Sequence, residues 1–486
     1  MANAGKATKY LAIFIGIVAV GVRLIAITQP FIDNWSWRES DVAAIARSYF
    51  ENGFHFAYPQ IDWAGDAAGY VGTEFPILPF AAALVYKITG IQEWIGRLET
   101  VLFFAVSLPF FYLLVRRIFD ARTALWALLF YSFAPLNIFA SREFMPDVPS
   151  LSLSIAGLYF FLRWLEENKW RCLLGASVTI CLALLIKAPS ALISAPLLYL
   201  AWQRFGLSLV RQPKLWLFAV ISLLPAAIWY WHAHQIAEKY YPYHFFGAGG
   251  FQIKDFAWYW KIARATATSS LTPILCILAI VGAFVAPPGK YSCLFHWWFA
   301  AMIVFVYVAG WGNRHPWYQL PLVPIAAVFA GNACRWIGAA LRAHRQLRLA
   351  LSILMLFVFV TESYAATRRF YRPDATALRD LGFELQKITP GGILIIAADD
   401  GDPTVFYYAH RKGWHFLENG VYQGNPLDSD QIIANLEKLR ARGASYLVFY
   451  SGTLWWLDYY KEFEKHLGRT SKPIARTPEF AIYKLN

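Results

Sequence analysis

Apolar runs long enough to enter a bilayer recur from Tyr10 to Tyr364, separated by connections rich in arginine and lysine. That succession limits the fold more than any motif does. Backbone amides in hydrocarbon must be satisfied within their own segment, which leaves helices as the reading for runs of this length. The predicted spans are Tyr10–Ile27, Leu98–Val115, Ala124–Phe139, Leu151–Leu165, Leu173–Ile186, Ala191–Trp202, Leu215–Trp231, Leu271–Ala286, Leu294–Gly310, Leu320–Cys334 and Leu349–Tyr364. With 58% hydrophobic residues, against roughly 45–50% in a soluble domain, the chain reads as a polytopic α-helical membrane protein of about 11 spans. Its 21 Trp and 27 Tyr suit interfacial belts.

Charge parity sets the topology. The apolar segment Phe75–Gly90 falls just under the roughly 17–25 residues needed to cross. If it stays on one side, the loops holding Arg116, Arg117 and Arg122, then Lys169 and Arg171, then Arg204, Arg211 and Lys214, then Lys290, then Arg335, Arg342, Arg345 and Arg348 all face inward. That satisfies the positive-inside rule at every turn. Phe75–Gly90 is therefore expected to be re-entrant or interfacial. The expected protein is a multi-pass cell-membrane protein with a cytoplasmic N-terminus behind Lys6 and Lys9. Two domains follow: a transmembrane domain over 1–366, with a first outer loop over 30–97, and a soluble extracytoplasmic α/β domain over 367–486. In that tail, Ile393–Ala398 and Ser445–Tyr450 read as strands, and Ile432–Arg442, closed by Gly443, as a helix. The net charge of +13 fits anchoring loops and anionic lipid, and no nucleic-acid motif is present. Cys172, Cys181, Cys276, Cys293 and Cys334 all lie in or beside apolar segments and read as packing residues.

The unusual residues gather in the predicted outer loops. Ser36 with Glu39 is a capping-box pattern predicting a helix from Trp37 to about Asn52, stopped by Gly53. Trp37, Asp41, Ala44, Ile45 and Ser48 share one face of it, as in a helix lying in an interface. Asp41 is a candidate general base towards a hydroxyl, or else a partner of Arg38 or Arg47. Glu74, ahead of Phe75-Pro76, orients a substrate or a base, or caps the next helix.

The second outer loop, Ser141-Arg142-Glu143-Phe144-Met145-Pro146-Asp147, holds a polar substrate or a divalent cation, or is a salt-bridged turn. Metal ligation by Asp41, Glu143 or Asp147 is open on these residues, since no spacing is diagnostic. Lys187, ahead of Ala188-Pro189, either snorkels or compensates an anion such as a lipid phosphate. Arg314, His315 and Tyr318 suit phosphate or sugar, with an aromatic interfacial turn as the bland alternative. Asp399, Asp400 and Asp402 weakly resemble a cation loop; a solvated strand-to-helix turn accounts for them better. No glycine-rich phosphate loop, nucleotide fingerprint or Ser/His/Asp constellation is present, which turns the search for an activated donor from nucleotides to lipids.

These residues, in this order and on this predicted face, resemble the GT-C glycosyltransferases, in particular the branch of protein O-mannosyltransferases and lipid A aminoarabinose transferases. The resemblance covers about Tyr10 to Tyr364. It rests on Trp37-Arg38-Glu39-Ser40-Asp41, Glu74-Phe75-Pro76, the loop ending in Asp147, Lys187-Ala188-Pro189, and His315 with Tyr318 before Pro321. One departure is that many relatives carry an adjacent Asp-Glu pair where this chain has Arg38-Glu39, leaving Asp41, Glu39 and Asp33 as alternatives for the base.

The resemblance implies inverting transfer of a sugar from a polyprenyl-phosphate donor to a lipid, glycan or protein acceptor on the outer face. Asp41, Glu74 and Glu39 would be the catalytic set. Arg38, Arg142, Asp147, Lys187, Arg314, His315 and Tyr318 would bind substrate, with a divalent cation as a possible cofactor. Two readings from other classes compete. A transporter or flippase for a lipid-linked or anionic solute calls for broken helices, midplane charges and repeats. A receptor using the tail as a binding module leaves the acidic first loop without a purpose.

Overall fold

The computed structural model describes residues 2–246, 250–286, 289–418 and 425–486, and divides into two compact units. One comprises Met1–Ile27, Arg97–Trp231 and Gly247–Phe370; the other comprises Thr28–Gly96, His232–Phe246 and Tyr371–Asn486.

The first unit is helical. Among the described residues six of its helices are long and apolar enough to cross a membrane: Glu93–Ile118, Asp147–Glu167, Pro213–Lys239, Leu294–Arg314, Leu322–Ala340 and Arg345–Phe370. A seventh crossing is available if the pair Phe256–Leu271 and Pro273–Phe284, bent by 106°, forms one span. Eleven self-sufficient spans are not found, because several predicted runs form shorter helices. Trp170–Ile186 has 17 residues and Ser194–Phe205 has 12. The predicted Ala124–Phe139 breaks in two: Ala134, ahead of Pro135, is extended (ψ 134°), as crowding by the proline ring requires, and Pro135–Ala140 starts afresh.

The carbonyls left over at that break are met by Arg23, whose Nη2 donates to Ser132 O (2.9 Å) and Asn137 O (3.1 Å) while its guanidinium lies 3.4 Å from the centroid of Phe104. Elsewhere backbones approach directly. A Cβ on Gly282 would lie 1.7 Å from the Phe329 carbonyl oxygen, so the crossing of Pro273–Phe284 with Leu322–Ala340 admits only glycine there. The cysteines carry free thiols, as expected of packing residues.

The second unit joins the first polar loop to the tail around a five-stranded sheet. Its strands are β1 (Leu394–Ala398), β2 (Lys412–His415), β3 (Ala444–Tyr450), β4 (Ser471–Arg476) and β5 (Phe480–Leu485), in the order β2-β1-β3-β5-β4. β2, β1 and β3 run parallel; β5 pairs antiparallel with β3 and β4. The period of two sorts β1 cleanly. Ile395 and Ala397 join one core with Ile45, Tyr49, Trp63 and Val405, whereas Ile396 and Ala398 join the other with Trp414, Leu436 and Phe449. Each fully buried Ile, Leu, Val or Phe side chain among them contributes about 1.5–3 kcal/mol, so the loop and the sheet stabilise one another.

The loop also covers the edge strand. Gly65 N donates to Gly413 O (2.6 Å) and Gly413 N to Asp62 O (3.1 Å), pairing groups that an open edge would leave exposed. Gly65 sits at φ +59°, and a Cβ there would lie 1.9 Å from the Trp414 ring.

Two sequence expectations are corrected in this unit. The helix Ser36–Asn52 begins one residue early, and no side chain caps it: the Ser36 hydroxyl donates to Asp402 Oδ2 at 3.3 Å. Nor does it lie on a surface, because 13 of its 17 residues are buried. The apolar strip faces one core, and the polar face, including Ser40 bonded to Thr404 Oγ1 at 3.0 Å, packs against the β1 end of the tail. The expected re-entrant segment forms Ile77–Thr89, 13 residues or about 20 Å at 1.5 Å per residue, short of the roughly 30 Å hydrocarbon layer.

Candidate active site

The polar unit concentrates its ionisable groups around Asp41. The helix Ser36–Asn52 places Arg38, Glu39 and Asp41 within a single turn, all buried. Arg38 turns to Glu74, its Nη2 lying 2.9 and 3.0 Å from the two carboxylate oxygens, with Thr73 Oγ1 donating to the same group (3.0 Å). Arg47 turns to Asp62 and the Tyr407 carbonyl. Both cations considered as partners of Asp41 are therefore engaged elsewhere, and among the described residues Asp41 enters no ion pair. Its Oδ1 accepts one hydrogen bond, from Trp63 Nε1 at 2.9 Å. Burial without a counter-ion lifts the Asp41 carboxyl to about 7, although the indole donor, Arg38 and His415 all pull it down. A carboxylate tuned there holds or releases a proton at neutral pH.

Trp63 links Asp41 to the tail. Its ring lies 5.0 Å from that of His415 and 5.5 Å from that of His244. His415 ends β2, and its Nδ1 meets both oxygens of Asp399 (2.8 and 2.9 Å), which follows β1. Both residues thus stand at the carboxyl ends of neighbouring parallel strands, where open α/β sheets place their ligands. The pair is buried, and Nε2 of His415 has no hydrogen-bond partner among the described residues. Burial, with the nearby Arg38 charge, lowers His244 to about 4, so it is neutral at physiological pH.

Trp63, His244 and His415 were not singled out in the sequence. The available signal was a histidine ending one strand 16 residues after an aspartate that follows another, and it needed β2 to be recognised. Asp399, Asp400 and Asp402 do form a strand-to-helix turn, but each oxygen set has its own protein partner: His415 and Gly401 N, Tyr450 OH, and Thr404 N respectively. The expectation of a solvated turn is corrected for Asp399, which is 1% exposed.

The helical unit assembles a second group. Lys187, just past Trp170–Ile186, reaches Asp147 Oδ1 (3.1 Å) and lies 5.4 Å from the Tyr318 ring centroid. Asp147 begins the helix Asp147–Glu167, and its Oδ2 has no hydrogen-bond partner among the described residues. Asp147, Lys187, Ser190, Trp317 and Tyr318 line one small cavity. His315 stacks on Trp317 at 4.4 Å, and Arg314 packs over Trp311 at 4.7 Å. Arg142 is fully buried, bound to Glu143 Oε1 (3.0 and 3.1 Å) and to the Ala26 carbonyl (2.7 Å). Of the residues considered for a metal, Glu143 and Asp147 thus each hold a cation of the protein, and Asp41 holds an indole.

Comparison of the whole chain with solved structures decides the architecture. It superimposes on ArnT from Cupriavidus metallidurans bound to undecaprenyl phosphate with a TM-score of 0.65 and 15% identity, covering 97% of each chain. The chain has the GT-C fold. A GT-C likeness also extends to the oligosaccharyltransferase AglB from Archaeoglobus fulgidus in complex with an inhibitory peptide and a dolichol-phosphate (TM-score 0.65, 13% identity, 98% of this chain and 74% of that one). Arabinofuranosyltransferase AftD from Mycobacteria is more distant (TM-score 0.54, 14% identity, 98% of this chain and 41% of that one). Within the GT-C chain, residues 73–231 match the profile of the family described as dolichyl-phosphate-mannose-protein mannosyltransferase. No curated protein sequence matches.

Proposed function

We propose that this chain is an integral-membrane glycosyltransferase that moves a sugar, with inversion, from a polyprenyl-phosphate carrier to a hydroxyl or amine acceptor. The observation that carries the reading is Asp41, a buried carboxylate with no ion pair among the described residues, held by Trp63 and tuned to about 7. The carrier class is supported by the GT-C likeness and by the undecaprenyl phosphate and dolichol-phosphate bound to ArnT and AglB.

In the reaction the acceptor X–H attacks the anomeric carbon. The new X–C bond forms as the C–O bond to phosphate breaks, the electron pair leaves with the polyprenyl phosphate, and the proton passes to Asp41. Arg38 and Glu74 neutralise one another and fix the face of the helix on which Asp41 sits. Within the helical unit Lys187 is the cation assigned to the carrier phosphate, whose departing charge it would stabilise without a general acid. Asp33 and Glu39, both fully buried, stay behind Asp41 as alternative bases. The domain and sidedness expectations enter the same proposal: acceptor and polar unit on the extracytoplasmic face, N-terminus in the cytoplasm.

The test is release of polyprenyl phosphate from a panel of polyprenyl-phosphate sugars by the purified chain in liposomes, with the anomeric configuration of the product determined. One donor consumed with inversion supports the proposal. Retention of configuration refutes the single-displacement step. The transporter reading has one observation in its favour, the 106° break between Phe256–Leu271 and Pro273–Phe284; it predicts a carrier that crosses the bilayer and is recovered unchanged.

A further inference from the structure

Away from both candidate groups, the helical unit has an apolar groove of about 780 Å³ along the helices Ala2–Arg23, Ala121–Phe133, Leu322–Ala340 and Arg345–Phe370. Side chains such as Phe14 and Leu129 line it, and the last two helices are long and apolar enough to cross a membrane. Four arginines gather at one end: Arg122 near the start of its helix, Arg335 near the end of Leu322–Ala340, and Arg345 and Arg348 at the start of Arg345–Phe370. The stem of Arg348 lies beside Gly338, with Cδ 4.0 Å from where a Cβ would be, which brings Arg348 next to the helix that carries Arg335. Arg335 is held by Asn332 Oδ1 (2.8 Å) and is 3.9 Å from Asp120. Among the described residues Arg122, Arg345 and Arg348 make no side-chain hydrogen bond and no ion pair with any carboxylate.

A hydrocarbon groove ending in several uncompensated guanidinium groups asks for an occupant with the complementary layout: acyl chains joined to an anionic headgroup. We propose that this groove binds a diacyl phospholipid with an anionic headgroup, its phosphate among the four arginines and its chains along the groove. The positive-inside pattern puts the arginine end at the cytoplasmic leaflet, which is where such lipids concentrate. Arginine suits the role because its planar fork engages phosphate oxygens two at a time. Such a lipid joins helices from three separate parts of the sequence, Ala2–Arg23, Ala121–Phe133, and the consecutive pair Leu322–Ala340 and Arg345–Phe370. It is independent of the Asp41 chemistry, so this inference stands or falls apart from the glycosyltransferase reading.

The test uses the purified full-length chain in detergent, titrated with phosphatidylglycerol or with phosphatidylcholine of the same acyl chains, read by native mass spectrometry and by Tm. The expected result is a preference for phosphatidylglycerol of at least about tenfold. It should weaken roughly fivefold in each of Arg122→Gln, Arg345→Gln and Arg348→Gln, and be retained in the double variant Arg345→Lys with Arg348→Lys. Because each substitution is at the surface end of the groove, Tm without lipid reports folding separately. Equal binding of the two lipids overturns the proposal, leaving an ordinary lipid-facing surface. So does a preference untouched by the glutamine variants. If undecaprenyl phosphate displaces phosphatidylglycerol at lower concentration, the groove is a carrier site and the phospholipid assignment is wrong.

Discussion

Trp63 Nε1 donates to Asp41 Oδ1 at 2.9 Å, while the ring of the same tryptophan lies 5.0 Å from that of His415. One indole thus holds a carboxylate from the first polar loop against a histidine from the tail. The contact explains why Asp41 is ordered without being neutralised, and it makes Trp63 a positioning residue. Removing the donor in Trp63→Phe takes away a hydrogen bond to the ionised form. The midpoint of the pH–rate profile, expected near 7 in the wild type from the buried Asp41 carboxyl, should rise by about one pH unit, with kcat restored at high pH. An unchanged midpoint would show that Asp41 is not the group whose ionisation limits the rate.

Asp41 also carries a stability signature. Its carboxyl is near 7 in the folded chain against 3.8 when exposed, so between those values the folded state binds the extra proton. Stability is therefore fullest below about pH 4 as far as this group is concerned, and it declines as pH rises through 7. The cost of the buried charge above pH 7 is at most about 4 kcal/mol. Asp41→Asn removes it. The Tm of Asp41→Asn is expected to exceed that of the wild type at pH 8 and to match it only below about pH 4.

The Arg38–Glu74 pair behaves in the opposite way. Both side chains are buried, so Arg38→Ala takes the Arg38 counter-ion from the buried Glu74 carboxylate and is expected to cost about 3–5 kcal/mol. The double variant Arg38→Met with Glu74→Leu should be far closer to the wild type. Thermal unfolding of the three proteins in one detergent measures this, and equal losses in single and double variants would count against the pairing.

Lys187 and Asp147 give a kinetic prediction. If Lys187 serves the carrier phosphate, Lys187→Met raises KM for the donor about tenfold or more. Asp147→Asn, which releases Lys187 from its partner, should lower that KM or leave it unchanged. Donor titrations at saturating acceptor read both; a Lys187→Met enzyme with wild-type donor KM would leave the lysine a purely structural role.

Gly65 tests the joint between loop and sheet. Gly65→Ala combines a φ of +59° with a Cβ 1.9 Å from the Trp414 ring. It is expected to destabilise the polar unit by about 2–4 kcal/mol through strain and overpacking, read as a lowered first transition in thermal unfolding.

Elements governed by local pattern were legible in the sequence. The strands at Leu394–Ala398 and Ala444–Tyr450, the helix at Ser429–Ala441 and the helix ending at Asn52 follow from periodicity and stop signals alone. Asp41, Glu74, Asp147 and Lys187 stood out because charge is costly beside apolar runs. What local pattern cannot carry is partner choice. Whether Arg38 takes Asp41 or Glu74 depends on a contact across 36 residues, and Ser36 forgoes its cap for Asp402, 366 residues away. The short strand β2 has four residues, too few for a period to register, and with it His415 and the significance of Asp399 were hidden. Span counting failed where Pro135 splits an apolar run whose hydropathy is continuous.

The account turns on Asp41 as the proton acceptor, and the measurement that tests it most directly is sugar transfer from a polyprenyl-phosphate donor by the wild type and by Asp41→Asn. Both should be reconstituted in liposomes and shown folded by Tm. The account predicts that the wild type releases polyprenyl phosphate with a rate that climbs through pH 7, whereas the folded Asp41→Asn loses at least about a hundredfold in kcat at every pH. Equal turnover by the two proteins would contradict it, and would move the base to Glu39 or Asp33.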